Sequence, residues 1–377
     1  MTTIFHAPLA IHTGAGCRHQ LGAVIAKLGV RRPLVVTDEF LTKNGVIEPF
    51  LDKFRQAGLA AAVFDQVQPD PTDRNVAQGV QAYQTHQADA IVAIGGGSPI
   101  DTAKVIAISH ANPGPLEQFQ GYHRVERAGP PVIAVPTTAG TGSEATKVAV
   151  ITDTTRHVKM MMLDAAFMPR VALVDYELSL SMPPALTAHV GVDTLTHGIE
   201  AYVSRKANAL TDPLALSCIE LCARHLRRAW ARPDDREARA GMAIAALHGG
   251  MAFTNSGLCL VHGMSRPLGA VFHLAHGLSN ALLLPVVTRY SHLGNKARYS
   301  HIAQLLGLTS SLADGLEQLN QDLKVLRLRD CVDEAAFHQA IPKMAQDALA
   351  SGSPANNPRV PEAAEIEALY REAFLAG

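Results

Sequence analysis

The segment HVGVDTLTHGIEAYV (189–203) sets Asp193 and His197 four residues apart. On an α-helix such a pair shares one face and is close enough to hold one ion. Farther on, LVHGMSRPLGAVFHLAHGLSNA (260–281) contributes His262, His273 and His276. A carboxylate with several imidazoles suits iron(II), zinc(II) or a related divalent ion. Each histidine alone reads equally as a packed or surface residue. The set, however, lies in apolar sequence, where an unpaired charge is costly, and as a set it points to a metal.

A second group of residues suits a phosphorylated ligand. AIGGGSPIDTAK (93–104) reads as strand, glycine turn and helix. Glycines let the backbone approach a ligand closely, and a helix N-terminus offers free N–H groups and a partial positive charge. Ser98 is expected to cap that helix, with Pro99 at its first position. The common G-x-G-x-x-G fingerprint is absent, so the turn reads either as a phosphate cradle or as plain structure. PTTAGTGSEAT (136–146) is a second small-residue loop, whose Thr137, Thr138, Thr141 and Ser143 hydroxyls can bond phosphate or ribose. Asp38 ends the first strong strand; it reads either as a ribose-binding carboxylate that repels a 2′-phosphate or as a turn or N-cap aspartate.

The elements that must position these residues change character along the chain. PLVVTD (33–38), AAAVFD (60–65), ADAIVAIGGG (88–97), PPVIAVPTT (130–138) and VALVD (171–175) read as strands. Helical patterns over 43–57 and 78–87 lie between them, which indicates βαβ units and a parallel sheet covered on both faces. Such sheets bind ligands beyond the carboxyl ends of their strands, where Asp38, Gly95–Ser98 and Thr137–Ser143 fall. After Met182-Pro183-Pro184 the pattern is helical. The expected division is an α/β domain over 1–183 and an all-α domain over 184–377, the latter ending with a Pro-rich loop (351–362) and a short helix.

Bulk properties exclude several classes. The 377 residues suffice for two cores. A formal net charge of −1 gives no field for nucleic acid or anionic membranes. No run of about 18 apolar residues marks a membrane span, and the N-terminus lacks a signal-peptide pattern. Five cysteines without a repeated spacing argue against a disulfide framework and fit a reducing cytoplasm. Cys218 and Cys222, four apart with no second pair, read as core packing.

The stretches VVTDEFL, QVQPDPT, IVAIGGGSPIDTAK, PTTAGTGSEAT, ITDTTRHVK, GVDTLTHGIEAY and VHGMSRPLGAVFHLAHGLSNALLLP, spanning about 35–286, resemble the iron-containing (group III) alcohol dehydrogenases. The resemblance implies a dehydroquinate synthase-like fold: an α/β dinucleotide-binding domain, an all-α metal-binding domain and an active site in the cleft between them. It implies metal ligation by Asp193, His197, His262 and His276. It places NAD against Gly95, Gly96, Gly97, Ser98, Asp101, Thr137, Thr138, Thr141 and Lys159, with Asp38 favouring NAD over NADP and Asp70 where many relatives have Asn. The implied reaction is reversible hydride transfer between a small alcohol and NAD on a divalent metal, Fe2+ or Zn2+, in a cytoplasmic homodimer or larger homo-oligomer. Many relatives carry a second histidine four residues after the His262 position; here it is Arg266, which stays protonated and cannot be a general base. Arg266 suits a polar or acidic substrate group, and His273 is the expected alternative for proton transfer. A hydroxy-acid or polyol dehydrogenase or a maleylacetate-type reductase on the same fold is the nearest alternative. A metal-dependent hydrolase or lyase, or a non-catalytic nucleotide binder, is more distant.

Overall fold

In the computed structural model, which describes residues 2–156 and 158–376, the first half of the chain builds a parallel sheet whose four inner strands are apolar throughout. Its elements are β1 (Ala10–Thr13), α1 (Leu21–Leu28), β2 (Pro33–Val36), α2 (Glu39–Lys43), α3 (Glu48–Gln56), β3 (Ala62–Phe64), α4 (Asp73–His86), β4 (Ala90–Gly95), α5 (Gly97–Ala111), β5 (Gly121–Tyr122), β6 (Val132–Pro136), β7 (Val148–Asp153), β8 (Val158–Leu163) and β9 (Val171–Val174). Six strands pair in the order β1-β9-β6-β4-β2-β3, all parallel. Side chains alternate along each strand, so two cores form. Leu34, Val36, Ile91, Ala93, Val132 and Ala134 meet α4 and α5, whereas Val35, Val92, Ile94, Ile133, Val135 and Leu173 meet α1 and α3. Burial on both faces explains why these strands lack a polar alternation.

Several boundaries differ from the sequence reading. α4 begins at Asp73, five residues before the expected start, because Thr72 and Asn75 form a reciprocal capping box. The expected 43–57 helix is broken into α2 and α3 around Gly45, which has φ 70°. β1 escapes notice because it is short and only half-buried. The antiparallel pair β7–β8, which joins β5 in a separate three-stranded sheet, was not among the strands read from the sequence.

The second half is helical: α6 (Pro184–Val203), α7 (Asp212–Ala231), α8 (Arg236–Ser256), α9 (Leu260–Phe272), α10 (His276–Ser291), α11 (Lys296–Leu305), α12 (Leu312–Asp322), α13 (Leu328–Cys331), α14 (Glu334–Ala350) and α15 (Ala363–Leu375). Pro183 caps α6 and Pro184 takes its first position, where a missing N–H costs nothing. α6, α7 and α8 pack on one another, and α10 packs on α6, α9 and α12. α7 buries Ala215, Cys218, Ile219, Cys222, Leu226 and Ala229 along one helical stripe. Cys218 and Cys222 are therefore core residues, and all five cysteines are unpaired. By compactness the chain divides into His6–Ser179 and a second unit running from Leu180 onward that also takes the N-terminal residues up to Phe5. Among the described residues no single helix is long and apolar enough to cross a membrane.

Candidate active site

Asp193 lies midway along α6, only 2% exposed. A carboxylate this deep requires compensation. Three imidazoles supply it: around Asp193 Oδ1 lie His197 Nε2 at 3.5 Å, His262 Nε2 at 3.5 Å and His276 Nε2 at 3.8 Å. His197 comes from the next turn of α6, His262 from the first turn of α9, and His276 begins α10. The His197 and His262 rings stack with centroids 4.8 Å apart. Burial alone raises the Asp193 pKa, but His197, His276 and His262 outweigh it and hold the carboxyl below its ordinary range.

The donor set fits a divalent cation. Ligand atoms of Asp193, His262 and His276 all lie within 4.8 Å of one another, and His197, outside that group of three, brings Nε2 to 3.5 Å from Asp193 Oδ1. The Asn280 side-chain nitrogen probes the same point: it lies 2.6 Å from Asp193 Oδ1, 3.1 Å from His262 Nε2 and 3.3 Å from His276 Nε2. Three acceptors thus converge on one place, as ligation of an electrophile requires.

Two residues that hold this arrangement were not singled out from the sequence. Glu200 accepts a bond from His262 Nδ1 at 2.7 Å. Asn280 donates to Asp193. Glu200 follows Asp193 by seven residues and Asn280 follows His276 by four, both spacings that keep a residue on the same helix face. That periodicity was the available signal. Burial lowers the His262 pKa, but Glu200 and Asp193 override it and the net direction is upward.

In the α/β half, Asp38, the glycine turn and the threonine loop lie at the carboxyl ends of β2, β4 and β6, which are neighbours in the sheet. Gly95 has φ 155°, in the region that favours glycine. Helix α5 starts directly after Gly96, which is its N-cap with no side-chain bond. The expected Ser98 cap is thereby corrected: the glycines allow the helix to begin two residues earlier, and Ser98 lies within the first turn, its carbonyl accepting from Thr102 Oγ1. Gly96 and Gly97 face the second loop closely, since a Cβ on Gly96 would lie 3.3 Å from Thr138 Oγ1 and one on Gly97 2.8 Å from Thr141 Cγ2. Gly96, Gly97, Ser98, Thr138 and Thr141 are part-exposed, whereas Gly95 and Thr137 are buried. Asp38 caps α2, its Oδ1 accepting from Leu41 N at 2.9 Å.

Asp101 and Lys104, on successive turns of α5, brace these loops from inside. Asp101 accepts from Ser143 Oγ at 2.5 Å and from Val150 N at 2.9 Å. Lys104, 1% exposed, donates to Ser143 Oγ at 2.7 Å, Thr146 Oγ1 at 3.0 Å and Val148 O at 2.8 Å. Burial pushes its pKa down to about 8 against the pull of Asp101 and Glu144, and burial pushes Glu144 up to about 7. A carboxyl whose folded pKa lies above its unfolded value contributes stability at low pH that is lost as pH rises through the folded pKa. For Glu144 that window runs from 4.5 to about 7. The Glu144→Gln variant is therefore expected to gain on wild type by on the order of 2 kcal/mol between pH 5 and pH 8. Thermal melts at the two pH values check this; a constant offset would contradict it.

The other expected residues are more dispersed. Lys159 Nζ donates to Asp70 Oδ1 at 2.6 Å, pairing two residues 89 apart in sequence. Arg266, one turn beyond His262, donates from Nη1 to Ser353 Oγ at 2.8 Å. His273 is exposed at the C-cap of α9, in the left-handed region with φ 55°. It is not part of the group of ligand atoms drawn from Asp193, His262 and His276.

Residues 8–176 match the family described as iron-containing alcohol dehydrogenase, and residues 187–374 match the Fe-containing alcohol dehydrogenase family, C-terminal. The chain belongs to the iron-containing alcohol dehydrogenase family. It is 38% identical to the NAD-dependent methanol dehydrogenase of Bacillus methanolicus, with 99% of this chain and 100% of that protein covered. It is 41% identical to 1,3-propanediol dehydrogenase of Klebsiella pneumoniae, over 92% of each chain. The crystal structure of a 1,3-propanediol oxidoreductase superposes with a TM-score of 0.95 at 38% identity, covering 99% of this chain and all of the other. The α/β sheet followed by helices is thus the fold of the iron-containing alcohol dehydrogenases, and the chain is an NAD-linked oxidoreductase acting on the CH–OH group of alcohols.

Proposed function

We infer that this iron-containing alcohol dehydrogenase interconverts small alcohols and their carbonyl compounds with NAD, using one divalent metal held by Asp193, His197, His262 and His276. The observation that carries the reading is the convergence of three imidazole nitrogens within 3.8 Å of one carboxylate oxygen. Iron(II) or zinc(II), when bound, supplies Lewis acidity that lowers the pKa of a substrate hydroxyl and polarises a carbonyl. NAD, held against Gly95–Ser98 and the Thr137–Thr141 loop, would supply the hydride acceptor. NAD is supported by the similar methanol dehydrogenase, whose name records NAD dependence.

The chain's own residues bind and orient. Backbone N–H groups of Gly97 and Ser98 at the start of α5 receive the diphosphate, helped by the helix dipole and the Thr138 and Thr141 hydroxyls. Asp101 and Lys104 hold the two loops in register, and the buried Gly95 and Thr137 shape the turn from beneath. Lys159, paired with Asp70, completes the cofactor set. We assign cofactor binding to residues 1–183 and metal binding to 184–377. The unpaired cysteines support a reducing compartment such as the cytoplasm. Arg266 is proposed to meet a polar substrate group and His273 to exchange protons with solvent. A panel of neutral alcohols and hydroxy acids tests the first role: an Arg266→Ala variant losing only hydroxy-acid activity would favour the hydroxy-acid alternative.

Asp38 has one carboxylate oxygen committed to the α2 cap, and its charge opposes a 2′-phosphate. The Asp38→Gly variant is expected to shift the NADP-to-NAD ratio of kcat/KM by about 10-fold or more, equivalent to about 1.4 kcal/mol. Steady-state kinetics with both cofactors measure it, and an unchanged ratio would remove Asp38 from cofactor selection.

A further inference from the structure

Glu200 is 2% exposed and no ordinary surface interaction explains it. Its partners all belong to the start of α9. Oε1 accepts from Val261 N at 2.6 Å; Oε2 accepts from Cys259 N at 3.0 Å and contacts His262 Nδ1 at 2.7 Å. Backbone N–H groups can only donate, so both oxygens act as acceptors, and the imidazole must carry its proton on Nδ1 to complete the set. His262 Nε2 then presents a lone pair, and that atom is the one facing Asp193 Oδ1.

We propose that Glu200 is the positioning residue of the metal centre, fixing the tautomer and ring orientation of His262 while anchoring the first turn of α9 to α6. The proposal rests on the metal-centre reading above. A carboxylate is the side chain suited to this place because three donors converge on it. An amide offers one acceptor oxygen, so a glutamine here sets its NH2 against Val261 N–H or against Cys259 N–H and the imidazole, whichever way it turns. Removal of such an outer partner typically weakens metal binding by about 10- to 100-fold. Asn280 donates to Asp193 and lies 3.1 Å from His262 Nε2, the nitrogen that Glu200 does not touch.

The test uses full-length wild type, Glu200→Gln and Glu200→Asp, stripped with chelator and titrated with Zn(II) against a competing dye and with Co(II) by its visible ligand-field absorption. Melting of the stripped proteins reports the fold separately. Wild type is expected to bind one equivalent of either ion. Both variants are expected to melt cooperatively, to bind Zn(II) about 10- to 100-fold more weakly, and to show an altered Co(II) spectrum. A folded variant with an unchanged Zn(II) affinity and Co(II) spectrum would overturn the proposal, as would failure of both variants to fold, which would assign Glu200 to the fold alone. If wild type itself bound neither ion, the metal-centre reading would fail instead.

Discussion

Asp193→Ala is expected to release the metal and to lower turnover by about 1000-fold, an activation cost of about 4 kcal/mol. The reason is the position of one oxygen. Asp193 Oδ1 is the atom to which His197, His262 and His276 are all adjacent. It also carries the only formal negative charge among the four proposed ligands. Without it three neutral imidazoles remain, and a divalent ion there loses its one anionic ligand. The loops that carry Gly97 and Thr141 belong to the other compact unit, so NAD affinity is expected to stay near the wild-type value. Elemental analysis and NAD calorimetry on the same preparation check both halves. Retained metal with normal turnover would remove Asp193 from the centre, and loss of both metal and NAD binding would indicate general unfolding.

Gly97→Val is expected to produce the converse phenotype: metal retained, NAD affinity down by about 100-fold, equivalent to about 2.7 kcal/mol. A Cβ on Gly97 would lie 2.8 Å from Thr141 Cγ2 and 3.2 Å from Thr141 Oγ1. Thr141 must then rotate or retreat, and the branched side chain stands over the first N–H groups of α5. That is where a diphosphate has to approach. Because Gly97 has no positive φ, the backbone tolerates the substitution and the effect is confined to the loops. Calorimetry with NAD and with ADP-ribose, alongside metal content, measures it. Wild-type affinity for both ligands would show that phosphate does not sit on this turn.

Most of the framework was legible in the chain because two periodicities are clean. Apolar runs such as Ala90–Gly95 mark strands buried on both faces, and the stripe from Ala215 to Ala229 marks an amphipathic helix. What escaped depends on partners far away in sequence. β1 is recognisable only through its pairing with β9, and the α4 start only through a capping bond between Thr72 and Asn75. At the site, Asp193 and His197 were readable as a local i, i+4 pair. Glu200 shares their helix face by its spacing, but its role comes from the Val261 and Cys259 amides about 60 residues on. Lys104 belongs to a conspicuous glycine-turn segment, yet only the fold reveals that it points into the protein and ties α5 to the threonine loop. Ser98 shows the opposite failure: serine before a helix suggested a cap, but the glycines moved the helix start ahead of it.

The most direct measurement is a titration of chelator-stripped wild-type protein, kept anaerobic, with Fe(II) or Zn(II) while NADH production from a small primary alcohol is followed. Activity should rise linearly from near zero and break at one metal ion per chain. Full activity in the stripped protein, or a titration with no break near one equivalent, would contradict a reaction built on a single cation at Asp193 and its three histidines.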